Sequence, residues 1–359
     1  MNATFWRGKK VLLTGHTGFK GSWLSSWLHR LGADVVGCAL APHTDPSLFE
    51  VARVGETMTS VIADVRDLER VKEIFARHRP EILIHLAAQA LVQTAYADPV
   101  RTYTTNVVGT MNLLEAAREA PGLRVALMIT SDKCYENNEW VWGYRENDRM
   151  GGRDPYSSSK GCAELLIAGY RHSFFNLADY DRHGVAVATA RAGNVIGGGD
   201  WAEARLIPDI VKGIAAGRPV LIRRPGAIRP WQFVLEPLSG YLALAERLWD
   251  AGPEFAQSWN FGPNVEESRP VAWIADFLTT TWGDGARWEK DPAAHPHEDH
   301  FLKLDTSKAK SLLGWRPRLT LSTTLEWIVE WYRAFDRGED MRRLVDDQIA
   351  RYESLEVSR

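Results

Sequence analysis

An α/β fold, a doubly wound parallel sheet followed by a smaller C-terminal lobe, is predicted by three observations. Short β-branched runs alternate with helix-period patterns through the first half of the chain. A glycine triplet sits between the first strand and the first helix. After Arg191 the alternation gives way to shorter, turn-broken elements. At 359 residues the chain has room for one large domain and a smaller one.

Lys10 to Thr14 reads as the first strand and Gly18 to Leu31 as a helix. Asp34 to Leu40 and Thr59 to Ala63 read as strands two and three, and Val71 to His78 as a helix. Ile82 to Leu86 is a near-continuous apolar run, the mark of a strand buried on both faces. Val100 to Ala120 has helical periodicity throughout, and Val125 to Thr130 is strand five. Asp154 and Pro155 mark a helix start, with Asp as N-cap and Pro at the first position; that helix runs to about Asn176. Val185 to Ala190 is strand six. Beyond it, helices are expected from Leu206 to the Gly217-Arg218-Pro219 turn, over Ile274 to Trp282 and over Thr323 to Phe335. The expected division is 1–191 for the first domain, revisited around 233–248, then 192–335 mainly for a substrate lobe, and 336–359 as a charged helical tail.

Apolar content of 45%, charged content of 25% and a net charge of −3 describe a globular protein without general attraction for nucleic acid or acidic membrane. Cys38, Cys134 and Cys162 have neither metal nor redox spacing, which points to a reduced, cytoplasmic setting. The N-terminal residues carry no signal-peptide pattern, and no apolar run reaches the ~20 residues of a membrane span. His295, His297 and His300, with Glu298 and Asp299, fit no defensible metal spacing, and no metal is expected. Most of the fifteen tryptophans are expected in the core.

Gly15, Gly18 and Gly21 lie in Gly15-His16-Thr17-Gly18-Phe19-Lys20-Gly21. After a strand and before a helix, they let the backbone turn and approach a pyrophosphate, which the helix N-terminus then binds. The spacing G-x-x-G-x-x-G resembles the short-chain dehydrogenase/reductase superfamily and implies a Rossmann-type sheet. In that resemblance Asp64 and Val65 meet the adenine. Leu86-Ala87-Ala88, Asn106 and Thr130 line the cofactor, with Thr17, Phe19 and Lys20 in the phosphate loop. Strand two ends in Cys38-Ala39-Leu40-Ala41 rather than an acid, so these residues leave NAD or NADP open. The resemblance implies NAD. Lys20 reads equally as a phosphate ligand or a solvated helix residue.

Tyr156 and Lys160, four residues apart on a helix, share a face. A neighbouring ammonium and a cationic nicotinamide are expected to lower the phenol's titration, so that Tyr156 serves as base; Lys160 would also hold the nicotinamide ribose. Ser131, at the end of strand five, would hydrogen-bond the same substrate oxygen. Asp132 and Lys133 add a second acid/base pair. Their bland reading is a solvated turn, but at the carboxyl end of a parallel strand the active-site reading gains weight. Oxidation at one sugar carbon acidifies the neighbouring proton. Lys133 suits the base that removes it, and Asp132 the acid that protonates a departing hydroxyl.

Thr130-Ser131-Asp132-Lys133-Cys134-Tyr135-Glu136-Asn137 is similar to the active-site segment of CDP-D-glucose 4,6-dehydratases; dTDP-glucose enzymes carry Thr-Asp-Glu where Ser131-Asp132-Lys133 lie. Gly15 to Trp23, Glu139 to Tyr144, Asp154 to Cys162, Arg191 to Trp201 and Arg229-Pro230-Trp231-Gln232 extend the resemblance. Phe233 departs from it, since histidine is expected there. The resemblance implies CDP-D-glucose as substrate, NAD as cofactor and a homodimer joined through the helix bearing Tyr156. It also implies Asn194, Arg205, Arg229 and Asn260 as substrate-binding residues. Two alternatives stay open: a dehydratase or epimerase of a dTDP-, GDP- or UDP-sugar, and a non-catalytic NAD-binding protein, which would need none of Tyr156, Lys160, Asp132 and Lys133.

Overall fold

The computed structural model of the protein describes residues 2–293 and 301–356; the histidines 295, 297 and 300 with Glu298 and Asp299 lie outside them. Seven parallel strands form the central sheet: β1 (Lys10–Thr14), β2 (Asp34–Ala39), β3 (Thr59–Ile62), β4 (Ile82–His85), β5 (Val125–Ile129), β6 (Ala186–Ala192) and β7 (Ser258–Phe261). Their order is β7-β6-β5-β4-β1-β2-β3. All of β4, β5 and β6 is buried, because crossover helices cover both faces, and their apolar runs follow from that. The order reverses between β1 and β4, which opens a crevice at their carboxyl ends. Buried Thr14 and His85 meet there, 2.7 Å from Oγ1 to Nδ1. The Ala87 backbone N–H also donates to Thr14 Oγ1, so the loops after the two strands are tied together.

Helix α1 (Phe19–Arg30) follows β1, and α2 (Leu68–His78) is capped by the Asp67 carboxylate. The continuous helix expected over Val100 to Ala120 is interrupted. It runs as Pro99–Tyr103, a π turn at Thr104–Val108, and α3 (Gly109–Glu119). The wider turn projects Asn106 inward, where its amide binds Gln89 and Ser159. A single π turn is set by an i→i+5 bond and carries no residue signature of its own, so the sequence pattern did not reveal it. Helix α4 (Pro155–Ser173) begins with Asp154 accepting from the Ser157 N–H, as its sequence predicts.

The second half is woven back into the sheet further than expected. Helix Leu235–Asp250 packs on β5 and β6, and Trp259-Asn260-Phe261, read as part of the substrate lobe, lies in β7 beside β6. The charged C-terminal stretch forms helix Met341–Ser354, which buries Met341, Val345, Ile349 and Tyr352 and packs on α1. Its apolar stripe seats it on the domain. Phe233 is fully buried with edge contacts to Trp23 and Trp327, which makes its role one of packing. Outside the sheet stand helix Leu206–Ala215, helix Val271–Trp282 and three two-stranded pairs.

Candidate active site

A cleft of about 1140 Å³ runs along the carboxyl ends of the strands. Single ligand pockets reach roughly 1,000 Å³, so this cleft is as large as the largest of them. Every residue expected to hold the cofactor or do the chemistry lines it, except Asn106.

At one end lies the glycine loop. Gly15 has φ of 76°, and a Cβ there would stand 2.8 Å from the Ala87 backbone nitrogen; one at Gly21 would stand 2.0 Å from the Gly15 carbonyl oxygen. These close approaches seat α1 against the loop, and Gly18 caps the helix without a side-chain bond, as an anion-binding terminus requires. The cleft continues past Asp64, Val65, Leu86, Ala87 and Ala88. These residues fit a bound dinucleotide: a bare backbone cradle at the phosphate end and an apolar slot beside it. Asp64 is held by Arg66 at 2.6 Å. Asn106 is buried off the cleft and supports the Gln89 segment and Ser159 instead of lining the site. Nothing in its sequence context separates those two roles.

Ser131, Asp132 and Lys133 sit where β5 ends, in a short 3-10 turn capped by Ser131. The Ser131 hydroxyl donates to Asp132 Oδ1 at 2.8 Å and accepts the Lys133 N–H at 3.2 Å. Asp132 is nearly buried because Gly193 lies against it: a Cβ at 193 would fall 1.9 Å from Oδ2. Asn194 is beside the same oxygen, its amide donating at 3.4 Å, rather than among the arginines.

Tyr156 and Lys160 project from the first turns of α4 into the same cleft. The sequence predicts a lowered phenol; burial instead pushes Tyr156 up to about 12, with the Ser131 hydroxyl opposing the rise. The expectation relied on cationic neighbours, and desolvation of a phenolate outweighs them here. Burial also brings Lys160 down to about 8, against the pull of Cys134 and Glu164. Lys20 is neither solvated nor confined to the phosphate loop. Its Nζ donates to the Tyr241 hydroxyl at 3.1 Å. Burial, then repulsion from Lys160 and Arg205, lowers it to about 7. The sequence pattern could not show Tyr241 arriving from helix Leu235–Asp250.

Beneath this layer, Glu164 and Arg191 form a buried two-point ion pair, with Nη2 2.7 Å from Oε2 and Nε 2.9 Å from Oε1. Thr130 and Thr189 also donate to the carboxylate. Arg191 donates in turn to the Tyr135 hydroxyl at 2.6 Å, and that hydroxyl donates to Asn260 Oδ1. Asn260 is fully buried, with its amide spent on Tyr144 and Asp305 carbonyls. It is therefore part of the support below the cleft and not of the wall, a correction to its expected substrate contact.

The cleft is also lined by Trp231, Arg205, Arg229 and two arginines the motifs did not single out, Arg223 and Arg224; Arg205 lies close enough to act on Lys20 and Tyr156. Arg205 Nη1 is 2.8 Å from Asp200 Oδ2. The Arg223-Arg224 doublet reads as a turn in sequence, and its charge was the available signal. Among the described residues no group of three His, Cys, Asp or Glu is placed to hold a metal.

A parallel sheet with a glycine loop at its switch point, and a Tyr/Lys pair beside a strand-end serine, define an extended short-chain dehydrogenase/reductase. The signature of the GDP-mannose 4,6 dehydratase family matches residues 12–328, and the chain belongs to that family. It is 54% identical over 354 residues to a CDP-glucose 4,6-dehydratase of Salmonella typhimurium, covering 99% of each chain. It is 25% identical to a dTDP-glucose 4,6-dehydratase of Haemophilus influenzae over 90% of this chain and 97% of that one. The fold matches that of a UDP-glucose 4-epimerase from Thermotoga maritima with TM-score 0.77 and 24% identity, covering 90% of this chain and 99% of that one. It also matches a Bacillus anthracis dTDP-glucose 4,6-dehydratase in complex with NAD, with TM-score 0.75 and 19% identity, covering 93% and 100%.

Proposed function

We propose that the protein is an NAD-dependent CDP-D-glucose 4,6-dehydratase, converting CDP-D-glucose to CDP-4-dehydro-6-deoxy-D-glucose and water. The observation that carries this reading is the 54% identity, over essentially the whole chain, to a CDP-glucose 4,6-dehydratase. The second acid/base pair in the cleft supports it, since an epimerase has no use for one. NAD, when bound along the glycine loop, supplies a hydride acceptor at carbon 4 and returns the hydride at carbon 6.

The chain's own groups move the protons. Tyr156 takes the proton of the hydroxyl on carbon 4, with Ser131 bonded to the same oxygen. Once carbon 4 is a carbonyl, Lys133 removes the acidified proton from carbon 5. Asp132 protonates the hydroxyl leaving carbon 6, and Lys133 returns its proton to carbon 5. Lys160 holds the nicotinamide ribose. Arg205 and Arg229, joined by Arg223 and Arg224, bind the diphosphate, which guanidinium groups grip in two-point fashion. The segments bearing these arginines make up the substrate lobe within 192–335. Val100 and Leu165, 71% and 64% exposed on the helices around Tyr156, support a homodimer through that face. No helix among the described residues is long and apolar enough to cross a membrane, in keeping with a cytoplasmic enzyme.

The test is incubation with CDP-, dTDP-, GDP- and UDP-sugars, with deuterium on carbon 4 of the hexose. Deuterium should reach carbon 6 of the CDP-linked product; turnover of a non-CDP sugar alone would overturn the reading. Lys133→Ala should leave cofactor reduction intact and slow elimination about 10²–10⁴-fold, so reduced nicotinamide accumulates. Dehydrated product at the normal rate would remove Lys133 from the base role.

A further inference from the structure

We infer that Gln232 is a positioning residue for Asp132: it clamps the Gly193-Asn194 backbone against which the Asp132 carboxylate rests. The inference rests on the dehydration described above, in which Asp132 serves elimination and not oxidation. Gln232 lines the small cavity beside Asp132 and is not among the residues of the main cleft, so it acts through the wall of the site and not on the substrate.

Gln232 is 3% exposed and opens the short strand Gln232–Phe233, which runs parallel to Val195–Ile196. Its backbone N–H donates to the Asn194 carbonyl at 3.1 Å. Its side-chain Nε2 donates to the Gly193 carbonyl at 3.0 Å and to the Phe261 carbonyl at 3.2 Å. One residue thereby holds two successive carbonyls just past the end of β6 and ties them to the end of β7. A glutamine amide has two N–H donors, and both are used here. Turning the amide over would set Oε1 against two carbonyl oxygens, so its orientation is fixed. A carboxylate or a thioether of the same length supplies neither donor.

What is clamped bears directly on Asp132. A Cβ at Gly193 would fall 1.9 Å from Asp132 Oδ2, so the glycine backbone is packed on the carboxylate. Asn194, the next residue, has φ of 52°, a left-handed conformation that persists only where the surroundings hold it. Its amide donates to the same Oδ2 at 3.4 Å. Asp132 Oδ1 is held separately, by the Ser131 hydroxyl at 2.8 Å. The carboxylate is thus fixed from two sides, Oδ1 by its own turn and Oδ2 by a wall that Gln232 sets from a distant part of the chain. Without the clamp the wall can draw back from Oδ2, and the carboxyl is no longer aimed at the hydroxyl leaving carbon 6. A shift of ~1 Å in a reacting group costs about 10²-fold in rate. Tyr156 and Lys160 stand on α4, which makes none of these bonds, so oxidation at carbon 4 is spared.

The test follows reduced-nicotinamide absorbance during single turnover of CDP-D-glucose by the cofactor-loaded full chain. The rise reports oxidation, and the decay reports elimination with hydride return. Gln232→Met keeps length and volume but removes both donors, and Gln232→Asn keeps an amide but withdraws it by one methylene. In each, the rise should stay within about twofold of wild type while the decay slows about 10²-fold. The same change made in an Asp132→Asn background should slow the decay by no more than about twofold further, because Gln232 acts through that carboxyl. Denaturant midpoints identify a variant with a folding defect, and the other variant then decides. A decay as fast as wild type, a rise and decay that fall together, or a further loss of about 10²-fold in the Asp132→Asn background would each overturn the inference. Failure of wild type to dehydrate CDP-D-glucose would instead overturn the proposed function.

Discussion

Tyr156→Phe is expected to abolish cofactor reduction by CDP-D-glucose, with kcat lower by about 10²–10⁴. The substitution removes one oxygen from a side chain that is otherwise packed, so the fold and cofactor binding should stay intact. The size of the effect follows from the environment. Burial pushes the phenol up to about 12, with the Ser131 hydroxyl opposing the rise, so forming the phenolate calls for nearby positive charge. Phenylalanine leaves no hydroxyl at this position, and Lys160 sits one helical turn away. The measurement is reduced-nicotinamide absorbance after mixing, alongside a binding titration with NAD. Normal reduction in the variant would remove Tyr156 from the oxidation step.

Glu164→Ala should destabilise the fold by about 3–5 kcal/mol, because it leaves the Arg191 guanidinium buried without its counter-charge. Both side chains are 3% exposed, so solvent screening gives little relief. Thr130, at the foot of the catalytic turn, loses its 2.5 Å acceptor as well, so activity should fall with stability. Replacing both partners by apolar residues, Glu164→Leu with Arg191→Met, should recover much of the loss. Denaturant midpoints of wild type and the two variants decide this, and Glu164→Ala as stable as wild type would refute it. The pH arm has a definite sign. Burial alone would raise the Glu164 carboxyl, but Arg191 and the two threonine hydroxyls hold it below the ordinary value. Its contribution is then complete above ~4.3 and lost as pH falls through the lowered value.

The sequence carried the first six strands to within a residue or two. Each is a short run bounded by turn residues, and β4 and β5, covered on both faces, are nearly all apolar. The seventh was missed because Ser258–Phe261 carries no β-branched residue, and what makes it a strand is β6 alongside. The site divided the same way. Gly15, Gly18, Gly21, Ser131, Asp132, Lys133, Tyr156 and Lys160 are local motifs on strand ends and helix starts, and all of them line the cleft. Asn106 and Asn260 matched motifs equally well, yet they turn inward and brace the site. Their burial is set by Gln89, Ser159, Tyr135 and Tyr144, which are 17 to 125 positions away along the chain.

By itself the sequence determined the chemistry available to this protein: a dinucleotide loop, a phenol/amine pair and a second acid/base pair. Those depend on residue type at spacings of a few positions, which helix and strand geometry convert directly into shared faces. Only the tertiary structure decided how the groups are wired. It set Lys20 on Tyr241 and stacked Gly193 against Asp132. It also placed the Asn194 amide beside the Asp132 carboxylate. Hydrogen bonds across the cleft join segments far apart in the chain, and no local spacing encodes which of them meet.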